Sequence, residues 1–360
     1  MSVPTLGVEE ELLLVDPDSG ELRPVAARAV RAHEDVEAEL FLQQVETQTS
    51  PCRSLDDLHR EIRSSRRAVC DAAEEAGAAA VAVGVPVLAY EDTEVTRQPR
   101  YLRIREEYAE IARSTLACAM HVHVEVGGLD TAVRVLDGIA PWLPVLLATS
   151  ANSPYVGGRD TGYASWRAQT WNRWPSHGTG QPFGDASTYT EVTERIVEWG
   201  AALDPAMAYF DARYAEAFGT VEMRIADVCP GPEDAVLVAA LTRALVATAS
   251  REDPVTWRSE LVRAATWRAS RHGLADRLVD PATRALAPAR DVVTSLVAHV
   301  QDALEEAGDV DVVEGLVERV FADGTGATRQ RRRFEETGSL EAVVRDAVRR
   351  TRPAPPAGPA

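Results

Sequence analysis

The regular alternation of ionisable and apolar residues in three short segments limits this chain more than any other feature. The segments are Gly7-Val8-Glu9-Glu10-Glu11-Leu12-Leu13-Leu14-Val15, His121-Val122-His123-Val124-Glu125-Val126 and Gly219-Thr220-Val221-Glu222-Met223-Arg224-Ile225-Ala226-Asp227. Successive side chains of a strand point to opposite faces. Glu9 and Glu11 therefore share one face, as do His121, His123 and Glu125, and as do Glu222 and Arg224. Apolar residues hold most of the intervening positions. This predicts strands with one face on a core and the other carrying oxygen and nitrogen ligands beside an arginine. Carboxylates crowded in this way repel one another unless a cation neutralises them, so the pattern points to a multi-metal site.

At 360 residues and 45% apolar content the chain is long enough to bury a large core. A net charge of −18 argues against nucleic acid and anionic membrane as partners. No run of about 18 uncharged apolar residues predicts a membrane span, and the N-terminus lacks the basic-then-apolar layout of a leader peptide. Cys52, Cys70, Cys118 and Cys229 form no CxxC or zinc-ribbon spacing, which fits a cytoplasmic protein with reduced thiols. All 38 basic residues are arginine. A Walker A lysine and a lysine Schiff base to pyridoxal phosphate are thus unavailable, and any phosphate chemistry must rest on metal and arginine.

Residues 5–15, 40–48, 81–87 and 118–127 read as strands, with 205–212 extended and 219–228 a further strand. Ser54 to about Ala76 reads as a helix with Ser54 as its N-cap and Gly77 closing it. Helices are also predicted over 100–113, 130–151 (interrupted near Pro141 and Pro144), 191–200, 233–249, 254–270, 283–306, 309–321 and 339–350. The segment 152–190, rich in Gly, Ser, Trp and Asn, reads as a long functional loop. Strands dominate the first two-thirds and helices the last third. This predicts an α+β fold with a mostly antiparallel sheet, residues 1–350 as one catalytic domain and 351–360 as a disordered Pro/Ala-rich tail.

Several patterns carry chemistry. His121 and His123 with Glu125 form a same-face triplet in which the His-x-His spacing would also suit zinc, whereas the surplus of carboxylates favours Mg²⁺ or Mn²⁺. Glu222 and Arg224 set a carboxylate beside a planar guanidinium able to grip two phosphate oxygens. Tyr163 to Pro175 combines aromatic residues with Arg167, Asn172 and Arg173, the mixture expected of a lid over a polar ligand. Gly324 to Arg333 joins a glycine turn to an arginine cluster containing Arg329 and Arg332.

Together these motifs resemble the type 2 glutamate–cysteine ligases, also called carboxylate–amine ligases. The matching residues are Gly7-Val8-Glu9-Glu10-Glu11, Val45-Glu46-Thr47-Gln48-Thr49-Ser50-Pro51, Met120-His121-Val122-His123-Val124, Trp171-Asn172-Arg173-Trp174-Pro175, Gly219 to Asp227 and Gly326-Ala327-Thr328-Arg329-Gln330-Arg331-Arg332, in the family's order. Glu125 departs from the pattern, which has glycine or a small residue there. An acid at that position would narrow the site or add a ligand.

The resemblance implies a glutamine-synthetase-like fold whose antiparallel sheet forms a funnel for ATP and two or three divalent cations. It implies ATP-dependent joining of glutamate's γ-carboxylate to the amine of cysteine through an acyl phosphate, chemistry that needs alignment and charge neutralisation more than a protein nucleophile. By the same resemblance Glu9, Glu11, Glu46, His121 and Glu222 would be metal ligands, with His123 as a further candidate, and Arg224 would stabilise the transferring phosphoryl group. Arg167, Asn172 and Arg173 would contact the carboxylate substrate, and Arg329 and Arg332 the nucleotide. A homodimer is also implied. Three other readings stay open: the same ligase chemistry on a different amine or carboxylate, a zinc metallohydrolase using His121 and His123, and a scaffold that binds without catalysing.

Overall fold

Strand β1 (Leu6–Val15) is bonded along both edges and forms the spine of the sheet. The computed structural model describes residues 3–91 and 93–354, so residues 355–360 of the predicted tail lie outside the described residues. The other strands of the sheet are β2 (Glu37–Ala38), β3 (Gln44–Gln48), β4 (Ala79–Val81), β5 (Ala119–Glu125), β6 (Ala212–Ala215) and β7 (Thr220–Asp227). The order is β2-β3-β1-β5-β7-β6, and every pairing is antiparallel. β4 pairs with Leu13–Val15 on the same edge of β1 as β5, beyond the Leu6–Glu10 stretch that β5 occupies. The α+β expectation with a mostly antiparallel sheet therefore holds.

One face of this sheet is apolar. Leu6, Val8, Met120, Val122, Val124, Val221 and Met223 are buried in one cluster with the helix Pro232–Ala249. That helix is buried on nearly all sides because other helices cover the faces that the sheet does not. Helix α1 (Leu55–Glu75) starts where expected, with the Ser54 hydroxyl accepting from the Asp57 N–H at 3.1 Å.

Glu10 points to the apolar side, away from its neighbours Glu9 and Glu11, and is rescued there by Arg66 of α1. The guanidinium donates to both Glu10 oxygens at 2.8 and 2.6 Å and to the carbonyls of Cys229 and Pro230 at 2.7 and 3.2 Å. Both side chains are almost wholly shielded from solvent. The pair ties α1 to the middle of β1 and to the chain leaving β7.

Several boundaries differ from the sequence expectation for local reasons. The predicted helix over 100–113 divides into α2 (Pro99–Tyr108) and Glu110–Ser114 at Ala109, whose φ is +46°. Of the predicted strand 81–87 only Val81 joins the sheet, as the last residue of β4. Beyond it the chain stays buried but bonds to loops, as in Gly84 N–H to Asn152 at 3.2 Å. The segment 152–190 is not one loop: it holds the ribbon Tyr155–Val156 with Arg159–Asp160, helix α3 (Trp166–Trp171) and the start of α4 (Ala186–Glu198). The 205–212 stretch is a 3-10 turn at Pro205–Met207, with β6 beginning only at Ala212. The Pro232–Ala249 helix is termed α5. The predicted 283–306 helix begins as a strand, Ala285–Pro288, paired with Arg277–Asp280, because Pro288 admits a helix only after itself.

The C-terminal glycine–arginine motif forms helix α6 (Gly326–Thr337), which docks on Asn152. Gln330 donates to the Asn152 side-chain oxygen at 2.8 Å and to its carbonyl at 2.9 Å. The Asn152 amide in turn donates to the carbonyls of Ala82 and Val228. A Cβ on Gly326 would overlap the Asn152 carboxamide, which is why glycine stands there.

No single helix among the described residues is long and apolar enough to cross a membrane. Two stability predictions follow from the packing. Arg66→Met should cost about 3–5 kcal/mol in urea unfolding, because Glu10 is left buried and uncompensated, and the Arg66→Met/Glu10→Met double variant should recover much of that loss. Gly326→Ala should lower the melting temperature by several degrees, with a smaller effect when Asn152 is also changed to Ala.

Candidate active site

The polar face of the sheet floors a cleft of about 850 Å³ lined by Glu9, Glu46, His121, His123, Glu222 and Arg224, with Glu39, Arg100, Tyr209 and Arg213. Register brings these groups together. Glu9 lies opposite His121, Glu11 opposite Glu46, and His123 opposite Glu222. Glu46 also faces Glu37 on β2, so carboxylates oppose one another across three strands. Like charges in that position are unfavourable without neutralisation.

Glu9 is the hub. Its Oε2 lies 3.1 Å from His121 Nδ1 and its Oε1 3.1 Å from His123 Nε2. Burial alone would raise its pKa, but the two imidazoles hold its carboxyl well below the usual carboxylate range. His123 Nδ1 is fixed by the Thr220 hydroxyl at 2.9 Å. Burial, aided by Arg224, lowers His121 to about 4, so it is a neutral imidazole near neutral pH, the form that ligates metals.

Glu222 is clamped by two guanidinium groups. Arg213 Nε is 2.6 Å from its Oε2, and Arg224 bonds its Oε1. Against the penalty of burial, Arg224 and then Arg213 pull Glu222 down to about 2. Glu46 behaves in the opposite way. Burial, then Glu39, Glu9 and Glu11, push it well above the carboxylate range. A group of acids that cannot all ionise side by side is the setting in which a cation is stabilising.

Two overlapping sets, Glu9–His123–Glu222 and Glu9–Glu46–His121, each have donor atoms within 4.8 Å of one another. His123 Nε2 is buried and has no aligned hydrogen-bond partner, although Glu9 is near. Mixed carboxylate and imidazole donors, with one nitrogen unsatisfied, fit a divalent cation of the Mg²⁺ or Mn²⁺ type.

The remaining predicted residues are placed elsewhere. Glu11 is buried behind the cleft wall, its Oε2 accepting from Gln44 at 3.1 Å and from the Ala119 N–H at 2.7 Å. Burial and Glu39 push it up to about 8. Arg167 does not line the cleft: it is buried and donates to the carbonyls of Ile225 and Arg224 at 3.1 and 3.0 Å. Those carbonyls belong to a register shift in which Arg224 and Ile225 together face His121. Asp227, beyond the shift, accepts from Asn152, Ser153 and Ser165 and so anchors the 152–167 segment beneath β7.

Asn172 is exposed at the C-cap of α3, and Arg173 binds Ser114 and the Thr170 carbonyl. Arg329 is locked to Asp234 through two 2.8 Å bonds, and Arg332 is exposed and bonds the Asp323 carbonyl at 3.0 Å. The carboxylate contacts expected of Arg167, Asn172 and Arg173 do not follow from this arrangement, nor do the nucleotide contacts expected of Arg329 and Arg332. Their donors face protein or open solvent.

Sequence reasoning missed Glu39, Arg100, Tyr209 and Arg213. For Arg213 a signal was present: it sits as far before the Glu216–Gly219 turn as Glu222 sits beyond it, and the hairpin makes the two residues direct partners. Arg100, by contrast, comes from α2 and is joined to Asp204 at 3.1 Å, a contact across 104 residues that no local pattern announces.

Known proteins share this architecture. Residues 5–346 match the family model described as glutamate-cysteine ligase family 2. A protein from a Nocardioides species, provisionally named glutamate–cysteine ligase 2-1, is 48% identical over 365 residues, covering 96% of this chain and 95% of its own. Among solved structures, the glutamate–cysteine ligase of Francisella tularensis in complex with AMP superposes with a TM-score of 0.70 at 13% identity, covering 98% of this chain and 89% of that one. The bifunctional glutathione synthetase of Pasteurella multocida gives 0.71 at 15% identity, over 97% of this chain and 52% of its own. At such identities the two structures speak to fold alone. The sequence match decides the family: this chain belongs to glutamate–cysteine ligase family 2.

Proposed function

We propose that the chain joins the γ-carboxylate of L-glutamate to the amine of L-cysteine at the expense of ATP, giving γ-glutamylcysteine, ADP and phosphate. Family membership makes it an ATP-dependent carboxylate–amine ligase of the glutamate–cysteine ligase type. The choice of glutamate and cysteine is our reading. The observation that carries it is the gathering of Glu9, Glu46, His121, His123 and Glu222 on one sheet face with Arg213 and Arg224 beside them.

In this reaction a γ-carboxylate oxygen attacks the terminal phosphorus of ATP and the bond to ADP breaks. The amine nitrogen then attacks the acyl carbon, phosphate leaves with its oxygen, and the amine gives up a proton. Glu9, Glu46 and His121, and Glu9, His123 and Glu222, would hold two cations. When bound, these would neutralise phosphate charge and align the donor and acceptor oxygens. Arg224 would stabilise charge on the phosphoryl group in flight, the role for which a fixed guanidinium is best suited. Arg213 holds the far oxygen of Glu222 and so keeps that carboxylate and Arg224 in a single orientation.

A second reading has its own observation. Glu194 and Glu216 line the outer cleft, and no ion pair to either occurs among the described residues. An acceptor amine with additional positive charge would suit that rim better than the carboxylate of cysteine.

Purified protein with Mg²⁺, ATP and glutamate should release ADP only when cysteine is added, with γ-glutamylcysteine seen by mass spectrometry. Release driven instead by a diamine would select the second reading. Glu222→Gln, which keeps volume and removes one shared anionic ligand, should reduce ADP release on the order of 10²–10³-fold while circular dichroism stays native. Chelation with EDTA should stop turnover, and Mg²⁺ or Mn²⁺ should restore it.

A further inference from the structure

Strand β6 is an edge of the sheet and has only β7 beside it. It nevertheless carries Arg213, which clamps Glu222. The residue before it, Asp211, adds a further rung, its carbonyl accepting from the Arg224 N–H at 2.8 Å. That rung falls where the β5–β7 register shifts, so β5 offers Arg224 no regular ladder on its other side. An edge strand leaves one row of its backbone groups unpaired. The contacts that grip β6 from outside therefore bear on both guanidinium groups around Glu222.

Those contacts come from the strap 176–184, between α3 and α4, and from α4 itself. The Ser176 hydroxyl donates to the Met207 carbonyl at 2.6 Å and accepts from the Tyr209 N–H at 3.2 Å. The Thr179 hydroxyl donates to Asp211 Oδ2 at 2.7 Å. The Tyr189 hydroxyl accepts from the Tyr214 N–H at 3.1 Å. The strap is itself anchored at its far end, where Asp137 accepts from the N–H groups of Phe183 and Gly184, each at 2.8 Å.

Asp211 is the unusual member of this set. It is buried, yet its Oδ1 has no hydrogen-bond partner among the described residues, and His177 Nε2 stands 3.8 Å from it. Burial lowers the His177 imidazole below its usual range, so it brings no positive charge near neutral pH. A buried carboxylate so sparsely bonded is unfavourable, and an apolar side chain would pack there without that penalty. What the carboxylate supplies and an apolar group cannot is a directional tie to Thr179. Tyr209 and Arg213, two residues to either side of Asp211, line the cleft, whereas Asp211 and Thr179 do not.

We propose that the Thr179–Asp211 tie is a positioning device for phosphoryl transfer: it fixes the start of β6 and, through the Asp211 carbonyl, the peptide of Arg224, so that the guanidinium is held where it meets the phosphoryl group in flight. Thr179 and Asp211 are positioning residues that act through Arg224. The proposal rests on the ligase reading for the reaction and adds what aligns its arginine.

Calorimetric titration of the full chain with Mg²⁺ and ADP, alone and with aluminium fluoride plus glutamate, reads this without turnover, because the fluoride complex stands in for the phosphoryl group in flight. In wild type the fluoride should tighten ADP binding about a hundredfold or more. Thr179→Val, at a half-buried strap position, should lose about tenfold of that tightening while ADP alone stays within about twofold. Thr179→Ser, which keeps the hydroxyl, should restore it, and Asp211→Asn should show the same split as Thr179→Val. In an Arg224→Met background Thr179→Val should cause no further loss, since the tie acts through that side chain. Full fluoride tightening in both Thr179→Val and Asp211→Asn would overturn the proposal. So would an equal loss for ADP alone, a failure of serine to restore, or a loss that adds to that of Arg224→Met, each of which marks a merely structural contact. Those outcomes leave the ligase reading standing. A wild type whose ADP binding gains nothing from aluminium fluoride and glutamate would remove both.

Discussion

Three consecutive carboxylates in the most buried strand of the sheet are the constraint on which the rest of the structure depends. Strand geometry sends Glu9 and Glu11 to one side and Glu10 to the other. On the apolar side a lone carboxylate would be very costly, and Arg66 answers it with a two-point ion pair that also binds the carbonyls of Cys229 and Pro230. Helix α1 is thereby held against β1 at one angle, and the chain leaving β7 is held with it. The polar face can then display its carboxylates on a spine that does not shift.

On that face, charge is distributed unevenly. Glu222 is satisfied by Arg213 and Arg224, and Glu9 lies against two imidazoles, whereas burial beside Glu39, Glu9 and Glu11 pushes Glu46 toward its protonated form. The arginines lie on the β6–β7 side and the uncompensated acids on the β1–β3 side. Such a division suits a reaction that brings anionic phosphate and carboxylate groups together with cations. Each finds its opposite charge already fixed in place, and little reorganisation is left for the moment of reaction.

The arginine-rich C-terminal motif has a different task. Gly326, Gln330 and Arg329 close helix α6 on Asn152 and Asp234, and Asn152 sits beside Asp227 at the end of β7. Arg167 reaches the same strand from α3, gripping the carbonyls of Arg224 and Ile225 where the register shifts. These residues fix the backbone that carries Glu222 and Arg224. Their recurrence in the motif pattern is thus compatible with an architectural role as well as with ligand contact.

Period-two alternation in residues 7–15, 121–126 and 219–227 was enough to place Glu9, His121, His123, Glu222 and Arg224 on one polar face, because side-chain direction along a strand is a local property. Glu46 was legible from its motif, and the N-cap at Ser54 from its chemistry. What the chain order could not disclose was which strands are neighbours and in what register. Only that decided that Glu9 meets both histidines, that Arg213 rather than solvent holds Glu222, and that Arg167 and Arg329 are spent on backbone and Asp234. It also decided that Arg100 and Glu39 reach the cleft at all. Local sequence sets the direction of each side chain. The partner opposite it is set by long-range pairing, whose free energy is summed over the whole core and written in no single segment.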